Sequence, residues 1–327
     1  MNPIFSRTLK AMCAVAAAAL LSACGGASST VDPFVATRVI AFGDGFNYVD
    51  PNGSGLSTVR TSVGTAYVTD DTIAGRIAAR YSIVVKKVAN PTTTVLDATG
   101  GFSYATANAT ATDVATQIQN FLDRNVVAKK DLIIIAVGNW DIKANAEGNP
   151  TENINTATTN LVTAVQRLTN AGAEHVVVIP SINMARTPWA TSSGISRTTI
   201  QNLSNTATTS FNFSVNTKLG DAYRQDRKPV LLLDPTADFN TFAGSVDVSG
   251  NPVGNFSGIT LTNLSTAVCT TASPAEGCTT DVGLGGVINS TDYLTSVFAD
   301  EINLTPVINR LLADRMLFIM RNIGWAP

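Results

Sequence analysis

The chain alternates short runs of apolar, often β-branched residues with longer stretches in which apolar side chains recur every three or four positions. The runs at 39–42, 83–88, 132–137, 176–179 and 230–233 are apolar without alternation, the pattern of strands buried on both faces. Around them, 72–80, 113–122, 155–170, 196–219 and 304–322 carry apolar residues at helical spacing. Strand and helix in succession predict βαβ units, so the expected class is α/β, a three-layer α/β/α sandwich with five parallel strands. The stretch 238–292 breaks the rhythm. Rich in Thr, Asn, Ser and Gly, it reads as a long loop excursion over one rim rather than a second domain.

The N-terminus follows another pattern. Arg7 and Lys10 precede an apolar run at 11–20 that is too short to span a bilayer, which predicts an export signal rather than a membrane helix. The run ends in Leu21-Ser22-Ala23-Cys24-Gly25, which resembles the lipobox of bacterial lipoproteins. That resemblance implies a signal peptide at 1–23, a lipidated Cys24 as first mature residue, and membrane attachment through it. Gly25 after the anchor implies the outer membrane of a bacterial cell envelope. An ordinary cleaved signal with a coincidental cysteine is the alternative. Residues 24–36 would then be a tether and 37–327 the folded domain.

Composition adds mostly exclusions. With 45% hydrophobic residues, 14% charged residues and a net charge of -2, neither disorder nor a nucleic-acid footprint is expected. Loss of 1–23 removes two basic residues and no acid, leaving 20 basic against 24 acidic side chains. Of four cysteines, Cys13 leaves with the signal and Cys24 is the anchor, so Cys269 and Cys278 remain as a disulfide pair in an exported chain. No metal site and no cofactor are expected, because the single histidine, His175, lies far from both.

Four blocks carry chemistry. Val39-Ile40-Ala41-Phe42-Gly43-Asp44-Gly45, with Asn47 and Asp50 following, resembles the strand-FGDS block of the GDSL/SGNH hydrolases, especially the secreted phospholipase/lecithinase-like branch. Gly100-Gly101-Phe102-Ser103-Tyr104-Ala105-Thr106-Ala107-Asn108-Ala109 resembles its second block, Gly138-Asn139-Trp140-Asp141 its GxND block, and Asp300-Glu301-Ile302-Asn303 its final DxxH block. The resemblance spans nearly the whole mature chain. It implies a five-stranded flavodoxin-like sheet and descent from enzymes acting on esters or lipids.

It also implies which positions once reacted. Gly45 stands where the family has its nucleophilic serine, and it keeps the backbone N–H of the oxyanion hole while losing the hydroxyl. Asn108 replaces a glycine of the second block, Trp140 stands at the oxyanion-hole asparagine with Asn139 beside it, and Asn303 stands at the histidine while Asp300 survives. An amide has no nitrogen that titrates near neutral pH, so it cannot take a serine proton. His175, at the N-terminal end of a strand, lies at the wrong edge of an α/β sheet to replace it.

The expectation is therefore a catalytically inactive, SGNH-fold lipoprotein that acts by binding. Phe46, Tyr48 and Trp140 are the candidate contacts for a glycan, acyl chain or peptide. The alternative is an ester hydrolase with a non-standard site, drawing on Asp44, Asp141, Asp300 and Glu301.

Overall fold

The computed structural model describes residues 34–49, 72–149, 153–214, 229–244, 254–256, 258–269 and 294–327. Six strands, β1 (Arg38–Gly43), β2 (Val85–Lys87), β3 (Gly100–Ser103), β4 (Asp131–Ala136), β5 (Val176–Ile179) and β6 (Val230–Leu232), form one parallel sheet in the order β2-β3-β1-β4-β5-β6. All residues of β1, β4 and β5 are buried, which is why their runs show no alternation.

The sheet thus has six strands, not the expected five. The addition is β3, whose Gly100-Gly101-Phe102-Ser103 has too few β-branched residues to read as a strand. Glycine is required there: a Cβ on Gly101 would lie 2.7 Å from the Val84 carbonyl oxygen of the neighbouring chain segment.

Helices cover both faces. On one side lie α2 (Ala111–Leu122), α3 (Asn139–Ala146), α4 (Ile154–Asn170) and α6 (Arg197–Ser214), with α2 against α4 and α4 against α6. On the other, α1 (Ile73–Ala79) meets α8 (Pro306–Asn322). The three-layer sandwich expected from the pattern is present. Helix α2 begins two residues earlier than its apolar rhythm, because Thr110 and Asp113 form a reciprocal capping box.

Three short helices lie outside the predicted helical stretches: α3, α5 (Pro188–Ser192), capped by Thr187, and α7 (Thr236–Gly244), which overlaps the start of the predicted excursion and buries Phe239 and Phe242. The described parts of that excursion also hold β7 (Gly254–Phe256) and β8 (Ile259–Leu261), an antiparallel pair, and β9 (Asn263–Ala267), which pairs with β10 (Ser296–Phe298). The excursion is therefore partly ordered secondary structure.

At the sheet's N-terminal edge, Arg38 and Asp131 face each other across β1 and β4. The guanidinium grips both carboxylate oxygens, Nε to Oδ1 at 2.8 Å and Nη2 to Oδ2 at 2.6 Å, and also donates to the Val126 carbonyl. Nearby, the Phe34 ring stacks on His175 at 3.6 Å and Trp325 meets the imidazole edge-on at 4.8 Å. Phe34 N–H donates to the Gly324 carbonyl and Tyr81 Oη–H to that of Trp325, clasping the C-terminal segment beneath β1.

Candidate functional site

The strand ends at the opposite edge converge on the first block. Gly43 closes β1 with φ +126°, and a Cβ there would lie 1.9 Å from the Ala136 carbonyl oxygen, so only glycine lets the two strand ends approach. Gln117 of α2 clamps this point: its Oε1 accepts from Gly43 N–H at 2.7 Å, and its Nε2 donates to Gly43 O at 3.1 Å. The chain then turns through Asp44–Asn47. Phe46 N–H donates to Asp44 Oδ1, Asn47 N–H donates to Asp44 O, and Asn47 Nδ2 reaches back to Phe42 O at 2.8 Å.

Gly45 and Asn303, 258 positions apart in sequence, meet in this turn. A Cβ placed on Gly45 would lie 2.2 Å from Asn303 Oδ1, so the amide oxygen occupies the space a side chain at position 45 would need. Both residues are buried. The loop between β10 and α8 fixes the amide: Asp300 Oδ1 accepts from the N–H groups of Ile302 and Asn303, and Asp300 Oδ2 accepts from Asn303 Nδ2 at 2.8 Å. Asn303 thus makes the donor contact an imidazole would make to this carboxylate, and turns an amide oxygen rather than a basic nitrogen toward residue 45.

Asp44 is the titratable group here. Burial pushes its carboxyl up to about 7, with the Asp141 carboxylate adding to the rise; the Phe46 N–H and the Asn139 amide act against it. Asn139, at the start of α3, bridges Asp44 to the loop after β5: Nδ2 donates to Asp44 Oδ2 at 3.3 Å, and Oδ1 accepts from Ile182 N–H at 3.1 Å. Its side chain is structural mortar between strand ends. Asp141 accepts from Ala111 N–H at 3.0 Å, pinning α2 to α3.

Trp140 is half-buried at the edge of the core, and its Nε1–H, shielded from solvent, has no hydrogen-bond partner among the described residues. Lys143, one turn on, lies 5.9 Å from the Trp140 ring centroid and 5.6 Å from that of Trp189 in α5. Glu147 accepts from Trp189 Nε1 at 3.1 Å and from Lys143. The backbone N–H of Trp189 donates to Glu301 O, which ties this aromatic pair to the Asp300–Asn303 loop.

The structure thus brings Asp44, Gly45, Asn139, Asp300 and Asn303 together. It places the other sequence candidates elsewhere. Asn108 is exposed in the turn before α2. Phe46 is a core residue at 1% exposure, so it fills the interior instead of lining a cleft. Tyr48 is buried in a small cluster with Ala105, its hydroxyl taking a hydrogen bond from Lys87. His175 sits at the far edge, as its position at a strand start implies, and burial lowers it to about 4. Cys269 is buried with its N–H on Ala299 O, while Asp50, Cys24 and Cys278 lie outside the described residues.

Sequence reading passed over Gln117, Lys143 and Trp189. Gln117 left one signal: it is a polar residue on the buried stripe formed by Ala111, Val114, Ile118 and Phe121. Lys143 and Trp189 left none, since the pairing is made in space.

A family model described as GDSL-like lipase/acylhydrolase matches residues 39–316, from β1 into α8. The chain belongs to this family. Solved structures of low identity are similar to it. A member of the lipolytic G-D-S-L family from Veillonella parvula is 12% identical, with TM-score 0.46 over 87% of this chain and 98% of that one. An acetyl xylan esterase, AlAXEase, gives 12%, TM-score 0.45, and 86% and 98% coverage. An extracellular lipase from Streptomyces rimosus is 18% identical with TM-score 0.35, covering 63% of this chain and 83% of its own. No protein of curated function matches the chain.

Proposed function

We propose that this GDSL-like chain is a lipoprotein held at the outer membrane through acylated Cys24, and that it has given up ester hydrolysis to act by binding. The observation that carries the reading is the contact between Gly45 and Asn303. At the family's serine position there is no hydroxyl to attack an ester, and the space beside it is filled by an amide that cannot accept a proton. Removing members of a hydrolytic triad lowers turnover by roughly 10⁴ to 10⁶. Binding falls to the rim at Trp140, whose part-exposed ring suits a glycan, acyl chain or peptide. A disulfide between Cys269 and Cys278 would form in an oxidising compartment.

Incubation of the purified protein with p-nitrophenyl acetate and butyrate, and with a fluorophosphonate probe, tests the loss of chemistry. Neither turnover above buffer nor a covalent adduct is expected, and an adduct would overturn the reading. Titration with soluble glycans and fatty acids, followed by tryptophan fluorescence, tests the rim; a saturable change absent from Trp140→Ala is expected.

One observation favours a second reading, an ester hydrolase with a non-standard site. Asp44 adjoins Gly45 and titrates near neutrality, where a general base operates. Ester turnover that is saturable and abolished by Asp44→Asn would establish it.

A further inference from the structure

The sheet edge opposite the site carries exposed apolar side chains with no role in the function proposed above. Val35, Val84, Val95 and Val126 are between 53% and 83% exposed. Each precedes a strand: Val35 before β1, Val84 before β2, Val95 in the approach to β3 and Val126 in the approach to β4. The segments holding them are joined. Leu96 N–H donates to Asn125 Oδ1 at 2.7 Å, Arg38 donates to Val126 O, Thr37 N–H donates to Lys130 O, and Val84 directly precedes the β2 residue paired with Gly101. Strands about 4.8 Å apart therefore present the four valines along one rim.

The charges there depart from the rest of the molecule. Among the described residues at this edge, the cations Arg80, Arg124, Lys129, Lys130 and Arg321 outnumber the acidic side chains Asp97, Asp123 and Glu174, whereas the whole chain has 22 basic and 24 acidic side chains; Arg80 and Arg321 both donate to Pro327 O, which leaves Arg124, Lys129 and Lys130 as the exposed cations of the rim. Lys129, at 87% exposure, is only loosely paired with Glu174 at 3.9 Å.

We infer that this edge docks on an anionic lipid bilayer, an inference resting on the lipid-anchor reading. The chain enters the fold here, at Phe34, whose N–H is fixed to Gly324 O. The ten residue steps from Cys24 to Phe34 reach at most about 35 Å when fully extended, so an anchored chain is delivered to the membrane by this edge. β-Branched tips entering the headgroup boundary beside lysine and arginine match an interfacial contact. A protein partner fits less well, since protein interfaces turn on aromatic anchors. The aromatics of this edge, Phe34, Tyr81 and Trp325, are occupied with His175 and one another. Docking this way turns the Gly45–Asn303 edge toward the aqueous side, so whatever Trp140 meets is reached from solution or from a wall polymer, not from the host bilayer.

Hydrogen exchange on the full-length protein, processed in cells and reconstituted in vesicles of phosphatidylethanolamine and phosphatidylglycerol, tests the inference. Amides of 94–97 and 125–130 should exchange about tenfold more slowly than in Val95→Asp/Val126→Asp on the same vesicles, with 190–196 at the opposite edge unchanged. Lys129→Glu/Lys130→Glu should lose the same protection. Equal exchange in wild type and variants, each shown folded by its thermal melt, would overturn the docking. Mass spectrometry of the mature N-terminus in the same samples reads the anchor separately. If Cys24 carries no acyl group, the anchor reading fails, and sedimentation of the chain with these vesicles decides the docking: loss of binding in the valine variant supports it, and no binding by wild type overturns it.

Discussion

The two edges of one parallel sheet are built to different rules. At the N-terminal edge the buried charges are matched: Arg38 and Asp131 share two hydrogen bonds, and Asp131 also accepts from Ala128 N–H at 2.8 Å. At the C-terminal edge, a carboxyl near neutrality (Asp44) shares the region with three buried polar atoms that have no partner among the described residues, Asn47 Oδ1, Trp140 Nε1 and Ser181 Oγ, against one at the other edge, His175 Nδ1. Buried polar groups in native proteins are nearly always satisfied, so a cluster of exceptions marks a region shaped by something other than stability. On the reading proposed above, the mark of an ancestral site outlasts its reactive side chains: the positive-φ glycines, the clamped turn and the unmatched polar atoms remain where the hydroxyl and imidazole do not.

The comparison can be broken first at its stable side. Asp131→Ala leaves the Arg38 guanidinium buried without its partner and should cost about 3–5 kcal/mol, read as a lower urea midpoint; a loss near zero would mean the edge does not depend on the pair. At the other edge, Gly45→Ser drives a Cβ into Asn303 Oδ1 and should destabilise by about 1–3 kcal/mol. Asn303→Ala in the same chain should recover most of that loss, and if the two effects simply add, the contact is not what the serine meets. Gly45→Ser/Asn303→His, judged on p-nitrophenyl acetate, should recover measurable turnover that neither single change gives, because Asp300 still stands ready to orient the ring.

Titration sharpens the contrast, because the two edges respond to pH in opposite senses. Asp44 is raised from 3.8 to about 7, so between those values the folded protein holds a proton the unfolded chain has lost, and this contribution disappears as pH rises. His175 is lowered from 6.5 to about 4, so its contribution is complete above 6.5 and disappears as pH falls. Relative to wild type, Asp44→Asn should gain stability from pH 4 to 7, and His175→Phe should gain it from pH 6.5 down to 4. Urea unfolding across this range measures both, and slopes of the same sign would refute the assignment. The smallest effect belongs to the surface. Arg76 and Asp314, side chains 34% and 47% exposed, join α1 to α8 at 3.1 Å, and Arg76→Ala should lower stability by about 0.5 kcal/mol or less.

How much of this was legible in the chain depends on how local each signal is. Strands β1, β4, β5 and β6 announce themselves because each must be apolar on both faces. Strand β3 does not, because close approach to Val84 selects Gly101 over a β-former. Helix α3, Asn-Trp-Asp-Ile-Lys-Ala-Asn-Ala, has no apolar stripe; it forms where Gly138, at φ +122°, turns the chain out of β4 beside Ser181. In the site, Gly45 and Asn303 could be named from their motifs, but not that Asn303 fills the space at Gly45, since nothing local links residues so far apart; Asn108, named the same way, lies exposed outside it. Phe46 and Tyr48 mislead for the same reason: an aromatic after a strand looks alike whether it will face a ligand or the core, and here Phe46 is interior.

On the proposed loss of hydrolysis, the Gly45–Asn303 contact acts as a ratchet on the history of the molecule. A lineage that regained serine by one codon change would place its new atom 2.2 Å from an oxygen that Asp300 holds still, so the first step back is disfavoured before it can be useful. Return requires two changes in the right order, with the asparagine vacated first, whereas drift away from hydrolysis is open at every step. Such a chain can wander far in sequence around the same frame without revisiting the activity that, on this reading, shaped it.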